Sequence, residues 1–227
     1  MSFRKKTVRD IDAAGRRVLV RADLNAPLAE RDGSIVVADD ARIAASVPTI
    51  KLLQGQGAKV IVCSHLGRPK DRDAKLSLAP VGARLSELLG VPVKLAPDLV
   101  GPEVDALVDG LGDGEVLLLE NSRYEAGETK NDPELAAQLG KLADIYVNDA
   151  FGAAHRAHAT TEGVTHHVAT SVSGLLLERE VTTLEGLIAN PDHPLVVVLG
   201  GAKVSDKVAV IDSFLKVADT ILIVSGR

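Results

Sequence analysis

Short runs of Val, Ile and Leu alternate along this chain with longer stretches in which apolar residues recur at helical spacing. Many of the short runs are apolar at nearly every position, which is typical of strands that helices cover on both faces of a parallel sheet. The predicted strands are Arg17–Arg21, Lys59–Cys63, Val91–Leu95, Glu115–Leu119, Ile145–Val147, Leu195–Leu199 and Thr220–Val224.

The longer stretches predict helices, several of which have start and stop signals. They are Asp40–Gln54, Leu78–Leu89, Pro102–Leu111, Pro133–Ala143, Leu175–Ala189 and Lys203–Ala218. Pro48 predicts a kink or a restart within the first helix, because proline removes a helical hydrogen bond. Ser77 and Gly90 are predicted to cap the second helix at its two ends. This alternation of strand and helix predicts an α/β fold, with a Rossmann-like parallel sheet and helices on both faces.

The Leu175–Ala189 helix and the turn after it mark the predicted domain boundary. Five predicted strands precede this helix, whereas only a strand, a helix and a strand follow, too few to close a sheet of their own. We therefore expect a first domain over residues 1–173, a connecting helix over residues 174–190, and an incomplete second α/β domain over residues 191–227.

The charge balance narrows the range of partners. The 227 residues carry a formal net charge of −5, aromatic residues make up 2% of them, and Trp is absent. We expect neither nucleic acid nor an anionic membrane as a partner, because both attract positive charge and single-stranded nucleic acid also stacks on aromatic rings. The single cysteine, Cys63, excludes an internal disulfide, and no apolar run is long enough to span a bilayer. A cytoplasmic location is expected.

Cationic side chains nevertheless follow most of the predicted strands. They are Arg21, His65, Arg68, Arg123, His155, Arg156, His158, Lys203 and Lys207. Because parallel strands end at one edge of a sheet, these residues are expected to line a crevice there. Arginine suits such a crevice, since its planar guanidinium binds phosphate or carboxylate with two hydrogen bonds. The sequence therefore predicts an anion site, although each loop taken singly is also compatible with an ordinary turn or a solvated charge.

His155 and His158 could also be interpreted as metal ligands, but this hypothesis is weaker than that of an anion site. No carboxylate or cysteine lies beside the two histidines at ligand spacing.

The segment Gly200–Lys207 is a candidate phosphate site where a strand turns into a helix. Its glycines allow close backbone approach, and a helix N-terminus attracts phosphate. Lys203 and Lys207 share one face of the predicted helix. The spacing differs from that of a Walker A loop, and no Gly-x-Gly-x-x-Gly follows any strand. An ordinary strand-to-helix turn is the alternative.

Five segments, in this order along the chain, resemble signature segments of the phosphoglycerate kinase family. They are Arg21–Pro27 (RADLNAP), Asp40–Ile43 (DARI), Ser64–Pro69 (SHLGRP), Asn148–His158 (NDAFGAAHRAH) and Gly200–Lys207 (GGAKVSDK). The resemblance covers the chain nearly from end to end, and it implies that the first domain binds 3-phosphoglycerate while the second begins a nucleotide-binding domain.

The resemblance also implies roles for individual residues. The implied substrate-binding residues are Asp23, Asn25, Arg42, His65, Arg68, Arg123 and Arg156, most of them gripping the 3-phosphate. Asp23 and Asn25 would lie near the carboxylate and hydroxyl of the substrate. Gly201, Lys203 and Lys207 would bind the nucleotide across a cleft. Arg42, Lys203 and Lys207 are the implied catalytic residues, which would contact the migrating phosphoryl group.

The implied reaction is the glycolytic transfer of a phosphoryl group between 1,3-bisphosphoglycerate with ADP and 3-phosphoglycerate with ATP, with Mg²⁺ bound to the nucleotide. Its carboxylate acceptor is already ionised at neutral pH, so that positioning and charge neutralisation suffice without a general base. Full-length members of the family are monomeric. Because this chain is expected to stop before the nucleotide site is complete, the alternative is a non-catalytic module that keeps only the 3-phosphoglycerate site, or one that self-associates.

Two residues beside Arg123 depart from the family pattern. Ser122 and Tyr124 stand where the family has an apolar residue and Phe. We expect Arg123 to keep its place, Ser122 to weaken a core contact, and the Tyr124 hydroxyl to require a hydrogen-bond partner.

Overall fold

The computed structural model describes residues 5–201 and 208–224. Within them the chain divides into two compact units, one reaching to Glu178 and the other beginning at Arg179. The predicted helix start at Lys203 lies outside the described residues. No helix among those residues is both long and apolar enough to cross a bilayer.

The first unit is organised around a six-stranded sheet in which every neighbouring pair of strands is parallel. The strands of the unit are β1 (Arg17–Arg21), β2 (Leu28–Arg31), β3 (Ser34–Val37), β4 (Lys59–Cys63), β5 (Val93–Leu95), β6 (Val116–Leu118), β7 (Ile145–Asn148) and β8 (Thr170–Ser173). Their order across the sheet is β5-β6-β4-β1-β7-β8, and β2 and β3 form a separate antiparallel hairpin. The parallel sheet and the α/β class are therefore confirmed.

The prediction of five strands before the long helix is wrong, because β2, β3 and β8 were missed. β8 reads Thr-Ser-Val-Ser, so it lacks the apolar run that marked the other strands. The hairpin turns at Asp32 and Gly33, whose φ angles are 52° and 75°. Asp-Gly in this conformation is a common hairpin turn, so the sequence did contain a signal for β2 and β3. The strand bounds predicted at residues 91, 115, 119, 147, 195 and 199 each shift by one or two residues.

Seven helices accompany the strands in the described residues. They are α1 (Ala41–Gly55), α2 (Ala79–Leu89), α3 (Pro102–Asp109), α4 (Pro133–Lys141), α5 (Phe151–Ala154), α6 (Leu175–Ala189) and α7 (Val208–Phe214). α1 continues through Pro48, so no restart occurs there. Gly90 ends α2 with a φ of 76°, a left-handed conformation that glycine adopts readily.

The predicted cap of α2 is displaced by one residue. Leu78 occupies the N-cap position, and its backbone N–H donates to Glu120 Oε1 at 2.8 Å. Ser77 lies just before it, and its hydroxyl accepts a hydrogen bond from the Ala79 N–H at 3.2 Å. A carboxylate distant in sequence therefore shares the capping with the predicted serine.

The core of the first unit lies on both faces of the sheet. Val18 and Val20 of β1 belong to one buried cluster, and Leu19 between them belongs to the other. Successive side chains of a strand point to opposite faces, so a strand covered on both sides must be apolar throughout. Because the six strands are parallel, the loops that follow them leave from one edge of the sheet.

The second unit contains a two-stranded parallel sheet of β9 (Val196–Gly200) and β10 (Thr220–Val224). α6 runs from the first unit into the second, and α7 precedes β10. None of the described residues from Arg179 onward is fully buried.

Candidate anion-binding site

The candidate site lies at the edge of the sheet where the strands of the first unit end. Arg21 ends β1 and pairs in register with Cys63 at the end of β4 and with Asn148 at the end of β7. The loops that follow these three strands therefore leave from adjacent positions. This is the edge at which ligands bind in open α/β sheets.

A cavity of about 570 Å³ opens among these loops. Arg68 and Lys70 line it from the loop after β4, Arg123 from the loop after β6, and Arg156 from the segment after α5. Glu125 is the one carboxylate among its lining residues. A volume of this size suits a small molecule, and the excess of Arg and Lys selects an anion.

Two hydrogen bonds position Arg123 at this cavity, one from its side chain and one from its backbone. Its guanidinium Nη1 donates to the Gly67 carbonyl, and its backbone N–H donates to Asn121 Oδ1 at 3.1 Å. Burial lowers the pKa of the Arg123 guanidinium, and the nearby cations Arg156, Arg21 and Arg68 lower it further. A bound anion would offset this mutual repulsion.

Two asparagine side chains, one buried and one partly exposed, tie the loop after β4 to its neighbours. Asn121 is fully buried; its Oδ1 accepts from the Leu66 N–H, and its Nδ2 donates to the carbonyls of Leu66 and Leu76. Asn25 Oδ1 accepts from the Gly67 N–H at 2.9 Å. These bonds position the loop that carries Arg68, so the predicted residue Asn25 contacts that loop rather than lining the cavity.

Asp23 and Arg42 form an ion pair of their own. Arg42 Nη1 donates to Asp23 Oδ2, and the exposed fractions of the two side chains are 53% for Arg42 and 13% for Asp23. A Cβ added at Gly152 would come within 3.2 Å of Asp23 Oδ2, so the absence of a side chain there leaves room for the carboxylate. Neither member of the pair lines the cavity.

His65 lies deeper than the other predicted residues, with an exposed fraction of 8%. Burial, together with the cations Arg21, Arg123 and Arg156, lowers its pKa to about 3. Its Nδ1 atom lies 2.9 Å from Nη2 of Arg21, which is itself buried.

The two departures beside Arg123 both have polar partners. The Tyr124 hydroxyl donates to the Asp73 carbonyl at 2.6 Å, so the expected partner is present. The Arg72 guanidinium lies 5.5 Å from the centre of the Tyr124 ring, within the range of a cation–π contact. The Ser122 hydroxyl lies 3.4 Å from Glu128 Oε1, so Ser122 joins a buried polar group instead of leaving a gap in the core.

Of the seven predicted substrate-binding residues, Arg68, Arg123 and Arg156 line one cavity, whereas Asp23, Asn25, Arg42 and His65 lie outside its lining. Lys70, Tyr124 and His158 also line it: His158 was among the cations expected at the strand ends but not among the implied substrate-binding residues, and Lys70 and Tyr124 were in neither group. His158 had been noted after its strand, and Lys70 follows Arg68 closely, so position relative to a strand end was the signal that could have found both.

Of the three residues predicted to bind the nucleotide, the structure describes one, Gly201. Gly201 follows β9 with a φ of 130°, a conformation that side-chain-bearing residues rarely adopt. Lys203 and Lys207 lie outside the described residues. Across residues 5–201 and 208–224, no group of three or more His, Cys, Asp or Glu side chains could hold a metal ion.

The fold and this site together define a class of protein: an α/β protein with a cationic cavity at the carboxyl edge of a parallel sheet. Comparison with known proteins gives the family. The phosphoglycerate kinase family model matches residues 8–226. The chain belongs to the phosphoglycerate kinase family.

Individual relatives agree with this assignment. A phosphoglycerate kinase of Akkermansia muciniphila is 55% identical over 220 residues, which are 96% of this chain and 54% of that protein. A cytosolic phosphoglycerate kinase of Arabidopsis thaliana is 53% identical over 220 residues, 97% of this chain and 54% of that protein. The chain spans about half the length of the curated relatives it matches.

Solved structures match the fold as well. A phosphoglycerate kinase from Pyrococcus horikoshii superposes with a TM-score of 0.84 at 34% identity, over 97% of this chain and 55% of that one. One from Coxiella burnetii gives a TM-score of 0.80 at 35% identity, over 96% of this chain and 54% of that one.

Proposed function

We propose that this chain contributes the 3-phosphoglycerate side of a phosphoglycerate kinase, which transfers a phosphoryl group reversibly between 1,3-bisphosphoglycerate with ADP and 3-phosphoglycerate with ATP. The observation that carries the proposal is the cavity in which Arg68, Arg123 and Arg156 converge from three separate loops. Family membership supplies the identity of the anion.

In this proposal the arginines and Lys70 bind the 3-phosphate and hold the substrate in place. The opposite end of the substrate is a carboxylate, ionised at neutral pH, which needs no general base to attack a phosphoryl group. Arg42, which is half exposed and pairs with Asp23, is free to turn toward the migrating group when substrate competes for the pair. Catalysis then consists of positioning and charge neutralisation.

MgATP enters this scheme as a substrate, with the metal held mainly by the phosphates. Gly201, Lys203 and Lys207 are proposed to bind those phosphates. The unusual φ of Gly201 supports a close backbone approach at that point. We also propose residues 1–173 as the 3-phosphoglycerate-binding domain, residues 174–190 as the connecting helix, residues 191–227 as the beginning of the nucleotide-binding domain, and the cytoplasm as the location.

Calorimetric titration with 3-phosphoglycerate tests the site. Arg68→Ala is expected to weaken binding by roughly tenfold, since it removes a charged hydrogen-bond donor to phosphate. Arg17→Ala is the matched control: Arg17 begins β1 at the opposite edge of the sheet and pairs with Asp144 at 3.2 Å. Equal losses in the two variants would show that net charge, and not this cavity, determines the affinity.

A binding-only or self-associating module is the second candidate. It is favoured by the exposed apolar residues of the second unit, among them Val198 and Leu222, which are 62% and 50% exposed. Turnover of 3-phosphoglycerate and MgATP in a coupled assay supports the kinase. Affinity for 3-phosphoglycerate without turnover or nucleotide affinity supports the binding module, and a concentration-dependent mass in analytical ultracentrifugation supports self-association.

A further inference from the structure

An arginine lies inside the first unit, beneath the cationic cavity. Arg21 is 1% exposed, although it carries a charge and ends a strand. Burying a guanidinium is costly unless its hydrogen bonds are made. Each of its nitrogens has a partner: Nε donates to Thr160 Oγ1 at 2.9 Å, Nη1 donates to the Ala22 carbonyl, and Nη2 contacts His65 Nδ1 at 2.9 Å.

The contact with His65 determines where the imidazole carries its proton. A guanidinium has donors and no acceptor, so Nδ1 must accept the hydrogen bond with its lone pair. A neutral imidazole whose Nδ1 is unprotonated carries its proton on Nε2. Both nitrogens of an imidazolium are donors, and that form would set an N–H of His65 against an N–H of Arg21.

Thr160 and Glu128 prevent Arg21 from turning away. The Thr160 hydroxyl accepts from Arg21 and donates to Glu128 Oε1 at 2.6 Å, and the Thr160 backbone N–H donates to Glu128 Oε2 at 3.0 Å. Thr160 and Glu128 are both fully buried. The negative charge of buried Glu128 therefore compensates the positive charge of buried Arg21 through the Thr160 hydroxyl. His65 is hydrogen-bonded to the other end of the Arg21 guanidinium.

The other charged or titratable groups facing His65 come from two further segments. They are Arg123, from the loop after β6, and Arg156 and His158, from the segment after α5. Glu128 lies beside the segment after α5, where its Oε1 atom is 3.9 Å from His158 Nδ1. Burial and the neighbouring cations Arg21, Arg123 and Arg156 all lower the pKa of His65, so each of them disfavours an added proton.

We propose that Arg21 is a positioning residue that holds His65 as a neutral imidazole with its proton on Nε2, so that an anion that contacts His65 meets an uncharged N–H donor. The statement about Arg21 and His65 stands on the ligand-free chain. The statement about the anion rests on the proposed function. Its consequence is that His65 contributes equally to anion binding across the range in which an ordinary histidine gains its charge.

The first experiment measures the tautomer directly and needs no ligand. Nitrogen-15 spectra of the histidine rings are recorded from pH 5 to 8, and the His65 signals among the six histidines are assigned by their loss in His65→Gln. The expected result is a pyridine-like Nδ1 and a pyrrole-like Nε2 at every pH. A protonated Nδ1, or titration of His65 within this range, overturns the proposal whether or not the chain binds 3-phosphoglycerate.

Two variants test whether Arg21 is the cause. Arg21→Met keeps a long side chain without donors, and Arg21→Lys keeps the charge and one ammonium group as donor. In Arg21→Met the fixed Nε2–H signature is expected to give way to a mixture of tautomers, while Arg21→Lys is expected to keep it. A folded Arg21→Met protein with an unchanged His65 spectrum shows that burial alone sets the tautomer and overturns the role of Arg21. If Arg21→Met does not fold, the Lys variant decides: loss of the signature despite a retained donor overturns the role.

The third experiment asks whether the Nε2 donor reaches the anion. The side-chain amide of His65→Gln reaches the position of Nε2 and can donate there, whereas the shorter amide of His65→Asn lies near the position of Nδ1 and leaves no donor at that of Nε2. The Asn variant is expected to bind 3-phosphoglycerate roughly tenfold more weakly than wild type, and the Gln variant within about threefold. The ratio of wild-type to Gln affinity is expected to stay constant from pH 5.5 to 8, which cancels the titration of the ligand itself. A ratio that rises as the pH falls shows a charged His65 and overturns the anion part of the proposal. Absence of any 3-phosphoglycerate binding in the wild-type chain overturns the proposed function and leaves the spectroscopic result standing.

Discussion

The central strands of the first unit and the two strands of the second are built from the same kinds of residue, yet they have different surroundings. β4 reads Lys-Val-Ile-Val-Cys and is buried at four of its five positions. β10 reads Thr-Ile-Leu-Ile-Val and is buried at none. Composition therefore predicts a strand equally well in both units, while burial depends on whether other elements cover the strand.

This difference decides where precise chemistry can be built. In the first unit, both faces of the sheet are covered, and the buried frame holds Arg21, His65 and Glu128 in one hydrogen-bonded arrangement. In the second, His193 and Asp219 form an exposed polar pair, and their side chains are 59% and 45% exposed. Water competes for such a pair, which is consequently worth little.

The largest effect is expected from removing the same side chain in the two units. Leu19→Ala in β1 empties a fully buried position and should lower the free energy of unfolding by about 2–5 kcal/mol. Leu222→Ala in β10 removes a side chain that is 50% exposed and should cost less than about 1 kcal/mol. Urea unfolding followed by circular dichroism measures both.

The two variants delete the same atoms from the same type of element, so each is the control for the other. A cost for Leu222→Ala equal to that for Leu19→Ala would mean that β10 is covered in solution, and the contrast between the two units would then be lost.

A smaller effect is expected on acidification. Burial and nearby cations lower the pKa of His65 to about 3, from an ordinary value of 6.5. Between these values the unfolded chain binds a proton that the folded chain does not. The stability contributed by neutral His65 is therefore complete above pH 6.5 and is lost as the pH falls toward 3, with a limiting slope of about 1.4 kcal/mol per pH unit. His65→Gln should remove this part of the pH dependence of unfolding, measured at pH 7, 6 and 5.

His193→Gln is the control in the second unit. Its imidazole lies 2.6 Å from Asp219 but is exposed, so the variant should leave the slope of stability against pH nearly as in wild type. A slope that disappears in His193→Gln and persists in His65→Gln would reverse the assignment of the acid-sensitive group.

The smallest effect is expected from two tyrosine hydroxyls that donate to backbone carbonyls. Tyr146 is 1% exposed and donates to the Thr160 carbonyl at 2.8 Å, whereas Tyr124 is partly exposed and donates to the Asp73 carbonyl at 2.6 Å. Tyr146→Phe should cost about 1–2 kcal/mol, since it leaves a buried carbonyl without this donor, and Tyr124→Phe about 0.5 kcal/mol. Thermal unfolding measures the difference, and equal costs would show that the hydrogen bond matters here and its burial does not.

Much of the fold could be predicted because its strands are apolar runs. β1, β4 and β10 have the predicted bounds, while polar β8 was missed because it becomes part of the sheet only by pairing with β7. In the site, position at a strand end identified Arg68, Arg123 and Arg156. It did not identify Arg42, which lies at the start of a helix and was implied only by the family resemblance. Neither signal showed that Arg42 and Asn25 form their own contacts beside the cavity.

Arg21 shows most clearly where prediction from the sequence ends. By itself, the sequence determined the alternation of strand and helix and the positions of cations after the strands, because both depend on residues that are neighbours along the chain. Tertiary structure alone decided that Arg21 is buried, that His65 accepts its hydrogen bond, and that Thr160 links it to Glu128. The physical reason is that these contacts join residues 44 and 139 positions apart, and only the order of strands in the sheet brings them together.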